Sequence, residues 1–599
     1  MRRVRLGVSF AFVVASLVLA NLVQAASPSL SIILPRGLQR GAETTLTFSG
    51  ARLADTEEVL FYSKGFTVTK IEPNGANQLK VTIKVDPKTR CGEHVAQVRT
   101  KSGLSDYRSF YVGPYPDHAE VEPNTQFEAP QAIPMNVTVS GVVQNEDVDY
   151  YVVEAKKGQR VSAEVEGMRL GTYLFDPYVA ILDSKRFELS SSDDAPLAFQ
   201  DAIASVIAPE DGKYYVEVRE SAYAGNGNCR YRLHVGHFPR PTAVYPAGGK
   251  KGEEVEVAFL GAPGGEFKQK FKLPTEDEMD FGLEPQIGQD SAPSQQVFRL
   301  FDHGNAMEKE PNNGFAEATP AELPLAFNGI IQEAGDVDMF KFTAKKGQVF
   351  DIECYARRVR SALDPVMNLY YANGRGITGN DDSRGPDSFF RVTIPADGEY
   401  VLRVTDHLGR GGKDYVYRIE LTPPERKTVL GIPRVSRYSQ YRQWLVVPRG
   451  NKFATLISAS RRNFGGELVL NPQGMPAGLT IHAEPMASNL SVMPVVIEAA
   501  ADAPLAGALV DFTARHVDEN QKIPSGYENL ADYIRGGPGQ SIYWRRKVDR
   551  LAVAVVEEVP YSLEIVQPKV PLVRNGSMQL KIVAHKKEGW DEQINVQLP

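Results

Sequence analysis

Two repeats that alternate along the chain constrain its fold more than any other feature, because a segment that recurs with its spacing intact recurs as a folded unit. The longer repeat opens with Glu120-Val121-Glu122-Pro123-Asn124, which returns as Glu308-Lys309-Glu310-Pro311-Asn312. Asp147-Val148-Asp149-Tyr150 returns as Asp336-Val337-Asp338-Met339, and Ala155-Lys156-Lys157-Gly158-Gln159 as Ala344-Lys345-Lys346-Gly347-Gln348. Further on, Asp176-Pro177 matches Asp364-Pro365, Asp193-Asp194 matches Asp381-Asp382, and the run from Pro209 through Asp211-Gly212 to Tyr214 matches that from Pro395 through Asp397-Gly398 to Tyr400. Every offset lies between 186 and 189 residues. The shorter repeat joins Pro35, Gly37, Gly41, Phe48 and Gly50 to Pro246, Gly248, Gly252, Phe259 and Gly261, each displaced by 211 residues.

Inside the long repeat, Val161, Ala163 and Val165 alternate with polar neighbours, as do Tyr214, Val216 and Val218. Such alternation marks half-buried strands, and the Lys-Lys-Gly and Asp-Gly steps read as turns. Short strands at this spacing predict an antiparallel β-sandwich or jelly roll of about 110–120 residues. The shorter repeat, with Thr45–Phe48 and Val255–Phe259 as strands between glycine turns, predicts a small immunoglobulin-like unit.

A chain of 599 residues has room for about three to six domains. The sequence therefore predicts an all-β protein of tandem antiparallel β-sandwiches: immunoglobulin-like at 27–115, jelly-roll-like at 117–237, a short immunoglobulin-like unit at 239–304, a second jelly-roll-like unit at 306–424, and a further immunoglobulin-like sandwich at 426–557. Ser525 to Ile534 predicts a short helical insertion there, with Ser525 as cap and Tyr527, Leu530, Ala531 and Ile534 at helical spacing. Residues 558–599 read as the start of another β-domain, too short for an immunoglobulin-sized sandwich of about 100 residues. Either the protein is longer, or this hairpin docks on its neighbour.

Residues 1–25 read as a secretory signal peptide: Arg2, Arg3 and Arg5 precede an apolar stretch from Leu6 to Val23, and Val23 and Ala25 satisfy the small-residue rule for cleavage. A retained N-terminal anchor is the alternative, because the apolar stretch is near spanning length. No later segment approaches ~18 apolar residues, so the expected location is secreted, periplasmic or cell-surface, with no membrane span after cleavage. With 67 basic against 74 acidic residues and a net charge of −7, the chain lacks the basic footprint of a nucleic-acid partner. Its three cysteines, Cys91, Cys229 and Cys354, form no zinc or haem spacing, which leaves oxygen ligands for any metal.

The Glu-x-Glu-Pro-Asn, Asp-x-Asp, Lys-Gly-Gln, Asp-Pro, Asp-Asp and Pro-x-Asp-Gly-x-Tyr series resembles the bacterial pre-peptidase C-terminal (PPC) domain. Members of that family are secreted β-sandwiches appended to proteases, and those of clostridial collagenases bind calcium and substrate. The units offset by 211 residues resemble TIG/immunoglobulin-like domains.

On an extended strand residues i and i+2 share a face, so Glu120 and Glu122 point one way, as do Asp147 and Asp149. Bringing these pairs together concentrates negative charge, which a desolvated site tolerates with a cation present, and Ca²⁺ takes six to eight hard oxygens. The resemblance implies calcium ligands at Glu120, Glu122, Asn124, Asp147 and Asp149 in the first copy. In the second it implies Glu308, Glu310, Asn312, Asn313, Asp336 and Asp338. Thr125 stands where the second copy has Asn313, which leaves copy one the poorer set. The opposing reading is that these acids are solvated strand ends and a turn.

No motif nominates a catalytic centre. The nine histidines lie in no HExxH, and no GxSxG elbow, P-loop or dinucleotide fingerprint follows a strand. His234-Val235-Gly236-His237 reads as a strand end rather than a ligand pair. Asp193-Asp194 and Asp381-Asp382 read as turns rather than an acid/base pair, since neighbours on a strand point apart. Asp211-Gly212 and Asp397-Gly398 read as hairpin turns. Tyr150-Tyr151, Tyr214-Tyr215, Tyr370-Tyr371 and Phe389-Phe390 predict one ring in the core and one in solvent. The function predicted is an exported, non-catalytic binding, adhesion or spacer protein whose calcium-stabilised units meet an extracellular protein or polysaccharide. The alternative is the accessory region of a secreted peptidase or other hydrolase with its catalytic domain beyond residue 599, and a third reading places an activity in 426–557.

Overall fold

Period-two burial runs through strands such as Gln78–Val85, Gly212–Glu220 and Val349–Tyr355 of the computed structural model, which describes residues 27–436, 439–536, 541–571, 573–594 and 596. The expected signal peptide lies outside the described residues. The chain is all-β and built of successive β-sandwiches; among the described residues the helical elements are three short 3₁₀ turns, Met168–Leu170, Pro196–Ala198 and Arg357–Val359. No helix there is long and apolar enough to cross a membrane.

Two four-stranded sheets form the first unit, one holding Glu43–Ala51 and Gln78–Val85, the other Gly92–Thr100 and Arg108–Gly113. Gln78–Val85 turns Leu79, Val81, Ile83 and Val85 inward onto Phe48 and Phe110. The first long repeat is a pair of five-stranded sheets. Val148–Ala155, Gly212–Glu220 and Pro177–Leu182 lie at the centre of one, and Arg160–Glu166, Arg230–Gly236 and Val137–Val142 at the centre of the other. The second repeat has the same arrangement, with Asp338–Ala344, Gly398–Asp406 and Pro365–Tyr371 opposite Ala326–Ile330, Val416–Thr422 and Val349–Tyr355. Fully buried Tyr151, Val165, Val216 and Leu233 fill the first core; Phe327, Phe340, Leu402 and Ile419 fill the second. Between the two repeats a smaller unit carries the three strands Ala243–Tyr245, Glu254–Leu260 and Phe267–Lys272 over Val257, Phe259, Leu273 and Phe298. Past the second repeat, a five-stranded sheet centred on Lys452–Arg462 covers the three-stranded sheet of Leu445–Pro448, Leu551–Val556 and Ala506–Val510.

The expected helix at Ser525 to Ile534 is absent: Ser525–Tyr527 and Asn529–Arg535 are strands, the latter paired with Ile542–Val548. The register shifts between Asp532 and Ile534, and that bulge explains the misreading. Tyr527, Asn529 and Ala531 are buried at a spacing of two, the extra residue moves the next buried position to Ile534, and the resulting 531-to-534 step imitates a helix.

The Asp-Gly steps are also not hairpin turns. Asp211 links strand Ile203–Ile207 of one sheet to Gly212–Glu220 of the other, and Lys156-Lys157-Gly158 makes the matching crossing beside it. Asp211 Oδ1 accepts the Lys157 amide at 2.8 Å, and Asp397 Oδ1 accepts that of Lys346 at 2.7 Å, so one carboxylate ties the two crossings together.

Nor do the units run as separate beads. Tyr62, Val95 and Tyr107 of the first unit share a buried cluster with Ala531 and Val548, and Leu104 shares another with Trp444, Ala552, Ala554 and Val556. Gln440 accepts the Tyr107 amide at 3.1 Å, and Arg550 donates to the Tyr62 carbonyl. The chain folds back on itself, which weighs against an extended spacer. Tyr561–Val566 and Lys581–Lys586 form a hairpin whose side chains are mostly exposed rather than docked on a neighbour.

Candidate metal centres

Glu120 follows the short strand Asp117–Ala119, which pairs in parallel with Val137–Val142 and so directs the carboxylate over that strand. Its Oε2 accepts the Val142 amide at 3.0 Å; its Oε1 accepts the hydroxyls of Tyr231 at 2.6 Å and Tyr151 at 2.9 Å. Asp149, fully buried on Val148–Ala155, places Oδ2 2.7 Å from the same Tyr231 hydroxyl, whose single proton can go to only one of the two carboxylates. Glu122 Oε2 accepts the Asn124 amide at 3.0 Å. Glu120, Glu122 and Asp149 each place an oxygen within 4.8 Å of the other two.

The second copy repeats this geometry. Glu308 accepts the Ile330 amide at 3.0 Å, Glu310 the Asn312 amide at 2.9 Å, and Asp338 the Tyr417 hydroxyl at 2.6 Å. Glu308, Glu310 and Asp338 again gather within 4.8 Å. Glycine makes the room. A Cβ on Gly141 would lie 2.4 Å from the Tyr231 hydroxyl and 2.6 Å from Glu120 Oε1, and one on Gly329 would lie as badly against Glu308 and Tyr417. The sequence reading passed over Gly141, Tyr231, Gly329 and Tyr417, although each pair keeps the repeat offset.

Burial first, and the neighbouring acid second, pushes the Asp149 carboxyl up to about 9 and that of Glu308 up to about 10. Asp338 rises to about 7, mainly by burial. Carboxylates packed this way retain a proton or surround a cation.

Three observations bear on which. The buried Asn124 side chain lies against the cluster, its amide within hydrogen-bonding distance of Glu122 Oε2 at 2.9 Å and Asp149 Oδ1 at 3.3 Å. Asn312 is fully buried, and among the described residues neither its amide atoms nor the buried Asp338 Oδ1 has a hydrogen-bond partner. The donors are all hard oxygens, which suits Ca²⁺. The set fits such an ion, with water needed to complete six to eight ligands.

Not every expected ligand joins the gathered three. Asp147 and Asp336 lie just behind, buried, their Oδ2 atoms accepting the amides of Gln144 at 3.1 Å and Gln332 at 2.7 Å. Asn313 is exposed and its oxygen accepts the Val337 amide at 3.2 Å, so it does not enrich the second copy as its side chain suggested.

Other expected features resolve into structure. His234 is buried, with Nδ1 2.8 Å from Thr138 Oγ1, while His237 Nδ1 lies 2.7 Å from the Arg160 carbonyl, so the two share no site. The Asp194 and Asp382 amides donate to Asp193 and Asp381 in exposed bends. Tyr150 and Tyr151 are both buried, against expectation, because Phe127 and Arg186 cover the outer ring.

A buried ionic network escaped the sequence reading altogether. Asp201, fully buried, accepts the Met168 amide and Arg169 Nε, both at 2.6 Å; Asp387 holds Arg357 and Arg358 in the same way. Its signal was present in the repeat: 358 − 169 = 189, and 387 − 201 = 186.

Residues 147–220 and 336–406, the segments that supply Asp149 and Asp338, match the family model of the bacterial pre-peptidase C-terminal domain. Both long repeats are PPC domains. A probable subtilase-type serine protease of Deinococcus radiodurans is 38% identical over 101 residues, 16% of this chain and 14% of that protein. The match thus spans only a small part of that relative. Among solved structures, the PPC domain of a Bacillus anthracis collagenase aligns at 15% identity over 19% of this chain and 100% of its own, with a TM-score of 0.16. PliG, a periplasmic inhibitor of g-type lysozyme from Aeromonas hydrophila, aligns at 13% identity over 20% and 100%, with a TM-score of 0.13.

Proposed function

We propose that this chain is an exported, non-catalytic binding scaffold in which each PPC domain holds one calcium ion, through Glu120, Glu122, Asn124 and Asp149 in the first and Glu308, Glu310, Asn312 and Asp338 in the second. The observation that carries the reading is the duplicated trio of carboxylates, converging within 4.8 Å around a buried aspartate. That both copies of the repeat keep so unfavourable a charge cluster has an explanation in a cation. The ion would tie Glu122 of the inter-unit segment to Asp149 on a central strand, and so fix the start of each sandwich to its core. The first unit packs on 426–557, and the partner of this folded-back scaffold would be an extracellular protein or polysaccharide.

The test is thermal unfolding of the whole chain in calcium and in chelator. Calcium should raise the melting temperature of both PPC transitions; no shift in either would end this reading.

A second reading has support in the match to a subtilase-type protease: the chain would be the accessory part of a secreted peptidase. Coding sequence beyond Pro599 that supplies a Ser/His/Asp set would favour it, and further sandwiches would favour the scaffold.

A further inference from the structure

A cavity of about 500 Å³ lies where several units converge, lined by Tyr111 of the first, Phe199 and Arg360 of the two PPC domains, Asp280 of the third unit and Trp544 of strand Ile542–Val548. Its acids are already matched. Glu93 and Asp280 pair with Arg546 at 3.4 and 2.6 Å, and Glu166 with Arg232 at 2.7 Å. Most of its cations are matched as well: Arg169 lies between Glu164 and Asp201, Arg545 pairs with Asp532, and Arg90 donates to the carbonyls of Cys91 and Glu93. Arg360 differs. Its Nε is buried without a partner, and its guanidinium makes no hydrogen bond or ion pair among the described residues. It lies over the Phe199 ring, 3.1 Å from the centroid, and Phe199 meets Trp544 edge-on at 5.2 Å. Burial and the nearby Arg169 lower its pKa to about 10, which leaves it charged at neutral pH.

The backbone marks the same two residues. Arg360 has φ +70° and Phe199 φ +64°, a region that side chains other than glycine avoid. The position equivalent to Arg360 in the first PPC domain is Gly171, φ +67°, and that equivalent to Phe199 in the second is Gly385, φ +66°. Each domain thus keeps glycine at one left-handed position and carries a bulky residue at the other. The two bulky residues, from different domains, meet in one cavity. Residues held in such backbone conformations cluster at ligand-binding and active sites, and here two of them converge on an unpartnered charge.

We propose that this cavity binds a carboxylate borne on a ring, the carboxylate taking the guanidinium N–H groups of Arg360 and the ring lying against Phe199 and Trp544. Its volume suits a small ligand of this kind, and a guanidinium pairs with a carboxylate in a planar fork. The site is separate from the carboxylate clusters, and either can fail without the other.

The test is isothermal titration of the whole chain with glucuronate and with benzoate, glucose serving as the uncharged control, on wild type, Arg360→Gly and Phe199→Gly. Each variant installs the residue the other PPC domain carries at that backbone angle, so both should fold, with melting temperatures unchanged or raised. The expected result is saturable binding of at least one carboxylate, none of glucose, and a loss of affinity of about tenfold or more in Arg360→Gly. Binding of glucuronate alone assigns an acidic sugar; binding of benzoate alone assigns an aromatic acid. No binding of either at millimolar concentration, binding of glucose equal to glucuronate, or affinity unchanged in Arg360→Gly would overturn the proposal.

Discussion

Replacing Asp149 by asparagine should stabilise the first PPC domain in metal-free buffer, by an amount set by pH. In the unfolded chain Asp149 titrates near its ordinary value of about 3.9. In the fold, burial and the Glu120 carboxylate push it up to about 9. Between those values the folded state holds about one more proton than the unfolded state. Its stability is therefore fully present below pH 4 and is lost as pH rises toward 9, by about 1.4 kcal/mol per pH unit. From pH 5 to pH 7 the loss is about 3 kcal/mol, or roughly 10 °C in the melting temperature of a domain this size. The asparagine side chain has the same shape and does not titrate, so the variant should escape the loss. The assay is calorimetric or circular-dichroism melting of the whole chain at pH 5, 6 and 7, wild type against Asp149→Asn, after removal of divalent ions on a chelating resin. The melting temperature of the variant should exceed that of wild type at pH 7, and the gap should shrink as pH falls. A variant that melts at or below wild type at pH 7, or a gap that ignores pH, would show that Asp149 does not keep its proton in the fold. In calcium the order should reverse, because only wild type keeps the full ligand set.

Asp387→Ala removes the buried carboxylate that holds Arg358 and three backbone amides, and should cost the second PPC domain about 3–5 kcal/mol in chemical denaturation. Phe340→Ala, beneath the stacked Phe327 ring 4.4 Å away, should cost a similar 3–5 kcal/mol through the cavity it leaves. All three cysteines are buried and unpaired, and Cys91 and Cys354 are pushed above the ordinary thiol range by burial. A thiol reagent at pH 8 should therefore label none in the native chain and all after denaturation. Trp444→Ala thins the apolar contact between the first unit and 426–557; small-angle scattering should show an unchanged or larger radius of gyration with each unit still folded, and a smaller radius would contradict the folded-back arrangement.

The sequence reads best where identity and spacing both repeat. Two PPC copies with a near-constant offset expose Glu120, Glu122 and Asp149 as a set, since chance does not duplicate so spaced a pattern. It reads worst where one side chain's position depends on another's. The step from Ala531 to Ile534 looks helical because a bulge is invisible in a string of letters. Asp211-Gly212 looks like a hairpin because its crossing partner, Lys157, lies 54 positions away. Asn313 and Asn312 look equally fit as ligands, yet one faces solvent and the other the core. Arg360 carried a signal that only the backbone revealed, an arginine at an angle where its counterpart is glycine.

Each PPC domain is proposed to close on one calcium ion. Isothermal titration of calcium into the metal-free whole chain at pH 7.5 tests it directly, with Asp149→Asn, Asp338→Asn and the double variant alongside. Two sites are expected in wild type, one in each single variant and none in the double variant. An absence of binding heat in wild type, or two sites surviving in the double variant, would contradict it.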